Sequence, residues 1–295
     1  MIVVVGENVA DLLPAGDGLL RPALGGGPAN TAVAAASLGA PVSFAGRFGA
    51  DVYGRAFRAR LAAAGVALDH AVDLPLTSAL ALVTLDEHGA AGYDFWLTGA
   101  ADFADVPLPE VSAPDLVHVG SVAAYWAPGA DTIEAWLRGT TATITFDVNL
   151  RPFVVDRQPD ARERLERLAA LAHVIKASDD DLALAYPGID PETTARRFLT
   201  GERTAMVVLT LGAGGVVALT RDGGRTHVPA PAVTVADTIG AGDAAMGALL
   251  TRLSARGVAA VAGDVKNTLE FVVTVAALAC TRPGAYAPTL ADLPA

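Results

Sequence analysis

The chain has 295 residues, 52% of them hydrophobic and 18% charged, enough for one large buried core and too few to demand two independent domains. A formal net charge of -11 argues against a nucleic-acid partner, because phosphate backbones need a basic face. Neither lysine, Lys176 or Lys266, stands in a Gly-Lys-Ser/Thr loop, and the single cysteine, Cys280, excludes an intrachain disulfide and a thiolate zinc cluster. The chemistry therefore suits the cytoplasm, with Cys280 expected in the core, and any bound phosphate must be held by local backbone devices.

The opening run Met1-Ile2-Val3-Val4-Val5-Gly6 is too short for a signal peptide and has no basic residues before it, so it predicts a buried strand over 2–5. Along the chain, the apolar pattern predicts a helix over 29–38, a strand over 42–45 and a helix over 52–64. Strands over 116–119 and 143–146, a helix over 161–171 and a strand over 173–175 follow. Next come helices over 180–186 and 193–199, strands over 205–209 and 216–219, and helices over 242–254 and 266–280. This alternation predicts an α/β fold, a mainly parallel sheet with helices on both faces, and no window is apolar enough to span a membrane. Two regions break the rhythm: residues 11–24, and a hairpin with arms 79–85 and 91–96 around the turn formers Asp86, Glu87, His88, Gly89 and Ala90. They are expected to form a small β lid, from about 11–24 and 78–100, on a single unit spanning 1–295.

Two glycine-rich segments carry chemistry. In Gly25-Gly26-Gly27-Pro28-Ala29-Asn30, glycines allow close approach of a ligand, Pro28 suits a first helical turn, and Asn30 presents an amide suited to a hydroxyl. In Asp237-Thr238-Ile239-Gly240-Ala241-Gly242-Asp243, successive N–H groups and a helix N-terminus make an anion hole. A carboxylate beside an anion hole is electrostatically awkward unless it takes a proton, which is the work of a general base. His118 reads as a satisfied strand histidine, the acidic run Asp179-Asp180-Asp181 as a helix start, and Phe95-Trp96 as either a stacking lid or a packed face.

Residues 25–39 and 237–250 resemble the two signature segments of the PfkB, or ribokinase-like, carbohydrate kinases. The likeness continues through Glu7 and Asp11, residues 46–54, Asp147-Val148-Asn149-Leu150-Arg151-Pro152, residues 210–215 and Thr281-Arg282-Pro283-Gly284-Ala285. The segments 147–152 and 281–285 are most similar to the bacterial fructokinase and 2-keto-3-deoxygluconate kinase branches. The resemblance implies transfer of the ATP γ-phosphoryl group to a primary alcohol, with Asp243 as base and the N–H groups of Gly240, Ala241 and Gly242 as the anion hole. It places Asp11, Gly26, Gly27, Asn30, Phe95 and Arg151 on the sugar, and Lys176, Thr210, Gly212 and Gly215 at the nucleotide. Mg²⁺ would travel with ATP, reached through water by Asp181, and a K⁺ ion could sit near Asp237 and residues 282–288.

Four positions depart from the pattern. Ser178 and Asp181 replace an Asn and a Glu associated with magnesium, Ala245 replaces an aromatic residue and so is expected to loosen the site, and Leu97 stands where acid-sugar kinases often carry an arginine. The last favours a neutral sugar over a sugar acid. A 2-keto-3-deoxygluconate kinase, a ribokinase, a nucleoside kinase and a non-catalytic sensing homologue are the alternatives, and a homodimer through the lid is compatible with the pattern.

Overall fold

Short β-branched runs without polar alternation form strands buried on both faces, and those runs set the frame of the molecule. The computed structural model describes residues 1–85, 91–104 and 108–294, so the turn formers 86–90 lie outside the described residues. The first half of the chain forms β1 (Ile2–Val5), β2 (Val9–Pro14), β3 (Leu20–Gly25), α1 (Gly27–Ser37), β4 (Val42–Ala45), β5 (Arg47–Gly49), α2 (Val52–Ala63), β6 (Val72–Leu74), β7 (Ala79–Leu85) and β8 (Ala91–Trp96). Then come β9 (Leu116–Gly120), α3 (Gly129–Gly139), β10 (Thr143–Asp147), α4 (Pro152–Arg157), α5 (Ala161–Leu171), β11 (Val174–Ser178), α6 (Asp179–Ala185) and α7 (Pro191–Phe198). The chain finishes with β12 (Met206–Thr210), β13 (Val216–Thr220), β14 (Arg225–Val228), α8 (Ala241–Gly263) and α9 (Val265–Ala279).

The main sheet has the order β14-β13-β12-β11-β10-β9-β1-β4, parallel except near one edge, where β13 pairs antiparallel with both β12 and β14. Successive side chains of β1 enter opposite cores: Val3 and Val5 pack with residues of α3, α5, α6 and α7, while Ile2 and Val4 pack with α1, α2, α8 and α9. The α/β expectation holds, and the expected strands and helices appear with ends moved by a residue or two, apart from β11, which runs three residues further to Ser178, and α8, which runs on past a non-helical Gly257 to Gly263. Helices α3 and α4 and strands β5, β6 and β14 had no counterpart in the sequence reading; α4 and the three strands are each only three to six residues long, whereas α3 is a full amphipathic helix whose pattern was missed. His118 sits as expected, buried in β9 with Nδ1 3.1 Å from the Thr145 hydroxyl. Cys280 is only half-buried at the end of α9, not in the core.

A second sheet, β3-β2-β7-β8, gathers the two irregular regions, with β7 and β8 as the arms of the expected hairpin. Its roots are tied to the body by side chains. Asp51 caps α2 by accepting from the Tyr53 and Gly54 amides at 3.0 and 2.9 Å, and also accepts from the backbone and hydroxyl of Ser78, next to β7, at 2.7 and 2.8 Å. Asp51→Ala removes a helix cap and two bonds to the root of the second sheet together, so it should cost about 2 kcal/mol, read as a lowered urea midpoint at unchanged slope.

Candidate active site

The parallel strands β1, β9, β10, β11 and β12 all end on the same edge of the sheet. Chain order reverses between β1 and β9, which opens a crevice there. Glu7, just past β1, is buried and closes the back of the crevice, accepting from the Ala123 amide at 3.0 Å and from the Ser121 hydroxyl. Gly27 starts α1 directly above, where an added Cβ would lie 3.1 Å from Asn149 Nδ2 and 3.2 Å from Ser121 Oγ. Gly26 has φ +91° and its missing Cβ would strike the Asn8 backbone, so glycine is required at that turn.

The two glycine-rich loops meet. Asn30 Nδ2 on α1 donates to Asp243 Oδ2 on α8 at 2.9 Å, across 213 residues of sequence. One helical turn further along each helix, Gly247 faces Ala34, and a Cβ there would lie 2.6 Å from the Ala34 methyl. The small residues of α1 and Gly247 let the helices approach closely enough for that bond. Gly240 caps α8 in the left-handed region at φ +79°, against Ala285. The Ala241 amide turns back to the Thr238 carbonyl at 3.2 Å, a correction to its expected place among the hole's donors. The amides of Gly242 and Asp243, in the first turn, have no intrahelical acceptor and carry the positive end of the helix.

Lys176 reaches the base of this hole from β11. It is 4% exposed, pairs with Asp147 at 2.9 and 3.1 Å, and its Nζ lies 3.3 Å from the Cβ position of Gly242. Burial disfavours its ammonium, but the Asp147 and Asp181 carboxylates outweigh that and hold it protonated. Burial raises the Asp243 carboxyl above its ordinary range, while the Asn30 bond and the charges of Lys176, Arg151 and Arg60 act the other way. Asp11, on β2, is pushed up to about 7, first by burial and then by repulsion from Asp243. Asn30 Oδ1 and Asn149 Oδ1 are buried and accept nothing from the described protein, leaving acceptors for a polyhydroxylated ligand.

Thr210 ends β12, and Gly212 and Gly215 shape the turn into β13, on the same sheet edge as the hole but two strands from Asp147. Asp181 is committed locally: its Oδ2 accepts from the Ser178 amide at 2.8 Å while Ser178 caps α6. Asp237 ties two loops together by accepting from the Ile239 and Gly284 amides at 3.0 and 2.8 Å. Among the described residues, no three acidic, histidine or cysteine side chains could hold a metal ion.

The sequence matches the pfkB family of carbohydrate kinases over residues 2–292. The chain belongs to that family. It is 35% identical to a fructokinase of Klebsiella pneumoniae over 290 residues, 96% of this chain and 94% of the relative. It superposes with a TM-score of 0.87 and 30% identity on a Vibrio cholerae O395 fructokinase solved with fructose, ADP and calcium, covering 98% and 96% of the two chains. An aminoimidazole riboside kinase from Salmonella enterica, solved with aminoimidazole riboside and an ATP analogue, gives a TM-score of 0.86 at 28% identity, with the same coverage.

Two expectations for this PfkB-family chain are corrected. Leu97 is 3% exposed and packed in the core beyond the end of β8, so it faces no ligand, and Leu97→Arg would bury a guanidinium rather than read a carboxylate. Ala245 likewise lies in the core of α8 and not at the site. The Phe95-Trp96 pair splits, as neighbours on a strand must: Trp96 is 56% exposed, while Phe95 packs 5.0 Å from the Phe153 ring on α4. Two residues escaped the sequence reading. Tyr93 shares the inner face with Phe95, and its hydroxyl feels Asp11, Arg151 and Asp243; its alternation with Phe95 was the available signal. Arg60 on α2 donates to Leu24 O at 2.8 Å, next to β3's end, and feels both carboxylates; nothing in its local sequence separates it from a surface arginine.

Because the folded Asp11 carboxyl titrates near 7 against an ordinary 3.8, its native environment favours the protonated form. Its contribution to stability is present below about pH 4 and lost as pH rises through about 7. Asp11→Asn should therefore flatten part of the decline in stability between those limits, as measured by urea unfolding at several pH values. An unchanged pH slope would show that Asp11 is not desolvated in this way.

Proposed function

We propose that this chain is an ATP-dependent, fructokinase-like sugar kinase that phosphorylates a primary hydroxyl of a small neutral sugar. The observation that carries the reading is the Asp243 carboxylate at the N-terminus of α8, bonded to Asn30 from the other glycine-rich loop. Fructokinase relatives over nearly the whole chain support the sugar, and the riboside kinases keep a riboside as the rival.

In this reading the sugar lies between α1 and the second sheet, with hydroxyls held by Asp11, Asn30 and backbone at Gly26 and Gly27, and with Phe95 and Arg151 beside it. A sugar acid would bring its carboxylate against Asp11 and Asp243, which disfavours it on charge. Asp243 takes the hydroxyl proton as the sugar oxygen bonds to the γ-phosphorus and the bond to the ADP oxygen breaks. Its raised affinity for a proton suits that task. The first-turn amides of α8, with Gly240 shaping the loop and Lys176 beneath, stabilise the charge that gathers on the phosphoryl oxygens. Thr210, Gly212 and Gly215 border the nucleotide. A magnesium ion carried by the nucleotide would neutralise its phosphates, with Asp181 reaching it only through water, and a monovalent cation beside Asp237 would support the 282–288 loop. The second sheet acts as the lid of a single kinase domain, and exposed Leu20 and Trp96 on its strands would serve a homodimer formed through it.

The test is an ADP-release assay with fructose, ribose, 2-keto-3-deoxygluconate, adenosine and aminoimidazole riboside, in which fructose should give the highest kcat/KM. A riboside preferred tenfold or more would replace fructose as the substrate. Asp243→Asn should keep ATP affinity and lose turnover by roughly 100-fold or more. Gly242→Val should lower kcat more than sugar affinity, because a branched side chain disturbs the first-turn amides and meets Lys176.

A further inference from the structure

The second sheet begins at one buried carboxylate. Asp102 lies on the short turn that follows β8 and is 1% exposed. Its Oδ1 accepts from the Asn8 amide at 2.8 Å and its Oδ2 from the Ala79 amide at 3.1 Å. Asn8 immediately precedes β2 and Ala79 is the first residue of β7, and these two strands run parallel with Val9 opposite Ala79. The two oxygens of one rigid carboxylate thus grip the first rung of the pair from below, where the ladder itself supplies no acceptor. The Asn8 side chain is held in turn by the Arg47 carbonyl at 3.1 Å, and the Ala101 amide, next to Asp102, donates to Thr77 O at 2.9 Å. No group in this cluster reaches the phosphoryl or sugar positions described above, so its chemistry is left without a role there.

What the cluster does control is register. Asp11 is two residues beyond Val9, pairs with Ala81, and has its carboxylate against Gly25, close enough to Asp243 to feel its charge. A one-residue slip of β2 on β7 would turn Asp11 to the opposite face of the sheet. We propose that Asp102 is a positioning residue for sugar binding, fixing the register of β2 against β7 and so holding Asp11 over the cleft. Asn at this position has one acceptor for two N–H groups, and its amide hydrogens oppose the second, so one strand must let go.

The inference rests on the reading of Asp11 as a sugar ligand, and the experiment separates the two. Steady-state kinetics on Asp102→Asn, Asp11→Ala and the double variant form a cycle. Asp102→Asn should raise the KM for fructose about tenfold with the KM for ATP unchanged, and should add nothing further in the Asp11→Ala background. An unchanged fructose KM, or effects that multiply in the double variant, would overturn the proposal. If Asp102→Asn does not fold, Asp102→Glu keeps both oxygens but displaces them by a methylene, and the same cycle applies. Hydrogen exchange on the unmutated protein gives an independent reading: the Asn8 and Ala79 amides should exchange with the slow strands of the main sheet, and exchange at the rate of the second sheet's outer residues overturns the bracket. Should Asp11→Ala leave the fructose KM intact, the sugar reading of Asp11 fails, and the exchange rates alone decide whether Asp102 holds the strands.

Discussion

The close approach of α1 to α8 is the constraint on which the site depends. Gly247 against Ala34 brings the two helix axes together, and one turn toward their N-termini the same spacing leaves Asn30 and Asp243 at 2.9 Å. A side chain at Gly247 would push the helices apart and lengthen that bond before any catalytic residue had changed. The Ala-rich character of α1, whose residues from Pro28 to Ala35 are all buried, has its explanation in this contact. Buried hydrogen bonds between neutral and charged groups are worth only about 1.5–3 kcal/mol, so the packing, and not the bond, holds the pair in place.

Charge is arranged around that pair with economy. Asp11 and Asp243 repel each other inside a cleft poor in solvent, and three cations from separate elements, Arg60, Arg151 and Lys176, offset them. The buried Lys176–Asp147 pair sits directly below the helix N-terminus. Taking both charges out of water offsets most of their attraction, so the pair is better explained by where it puts a positive charge than by added stability.

The body and the second sheet are joined by few groups of high leverage. Asp51 and Asp102 hold the adjacent residues Ser78 and Ala79, while Arg60 holds Leu24 on β3, two strands away. Each is a charged side chain bound to backbone at a strand root, so small movements there are carried along the whole strand. The aromatic row Tyr93, Phe95, Phe153 and Trp126 spans the same gap with rings 5.0 to 5.8 Å apart.

Local sequence determined whatever depends on local physics. The β-branched runs became the main strands, the glycine-rich segments became sharp turns at helix starts, and the hairpin arms 79–85 and 91–96 paired as their alternation required. Family likeness implied only that Asn30 and Asp243 serve one site, and nothing near either residue encodes a hydrogen-bond partner 213 positions away. Tertiary structure alone decided that Leu97 turns into the core, that Ala241 spends its amide on Thr238, and that Arg60 and Asp102 bind backbone at the ends of distant strands. In each case the outcome turns on which groups arrive from distant parts of the chain to bury a side chain or accept a proton, and a pattern read over a few residues carries no record of those arrivals.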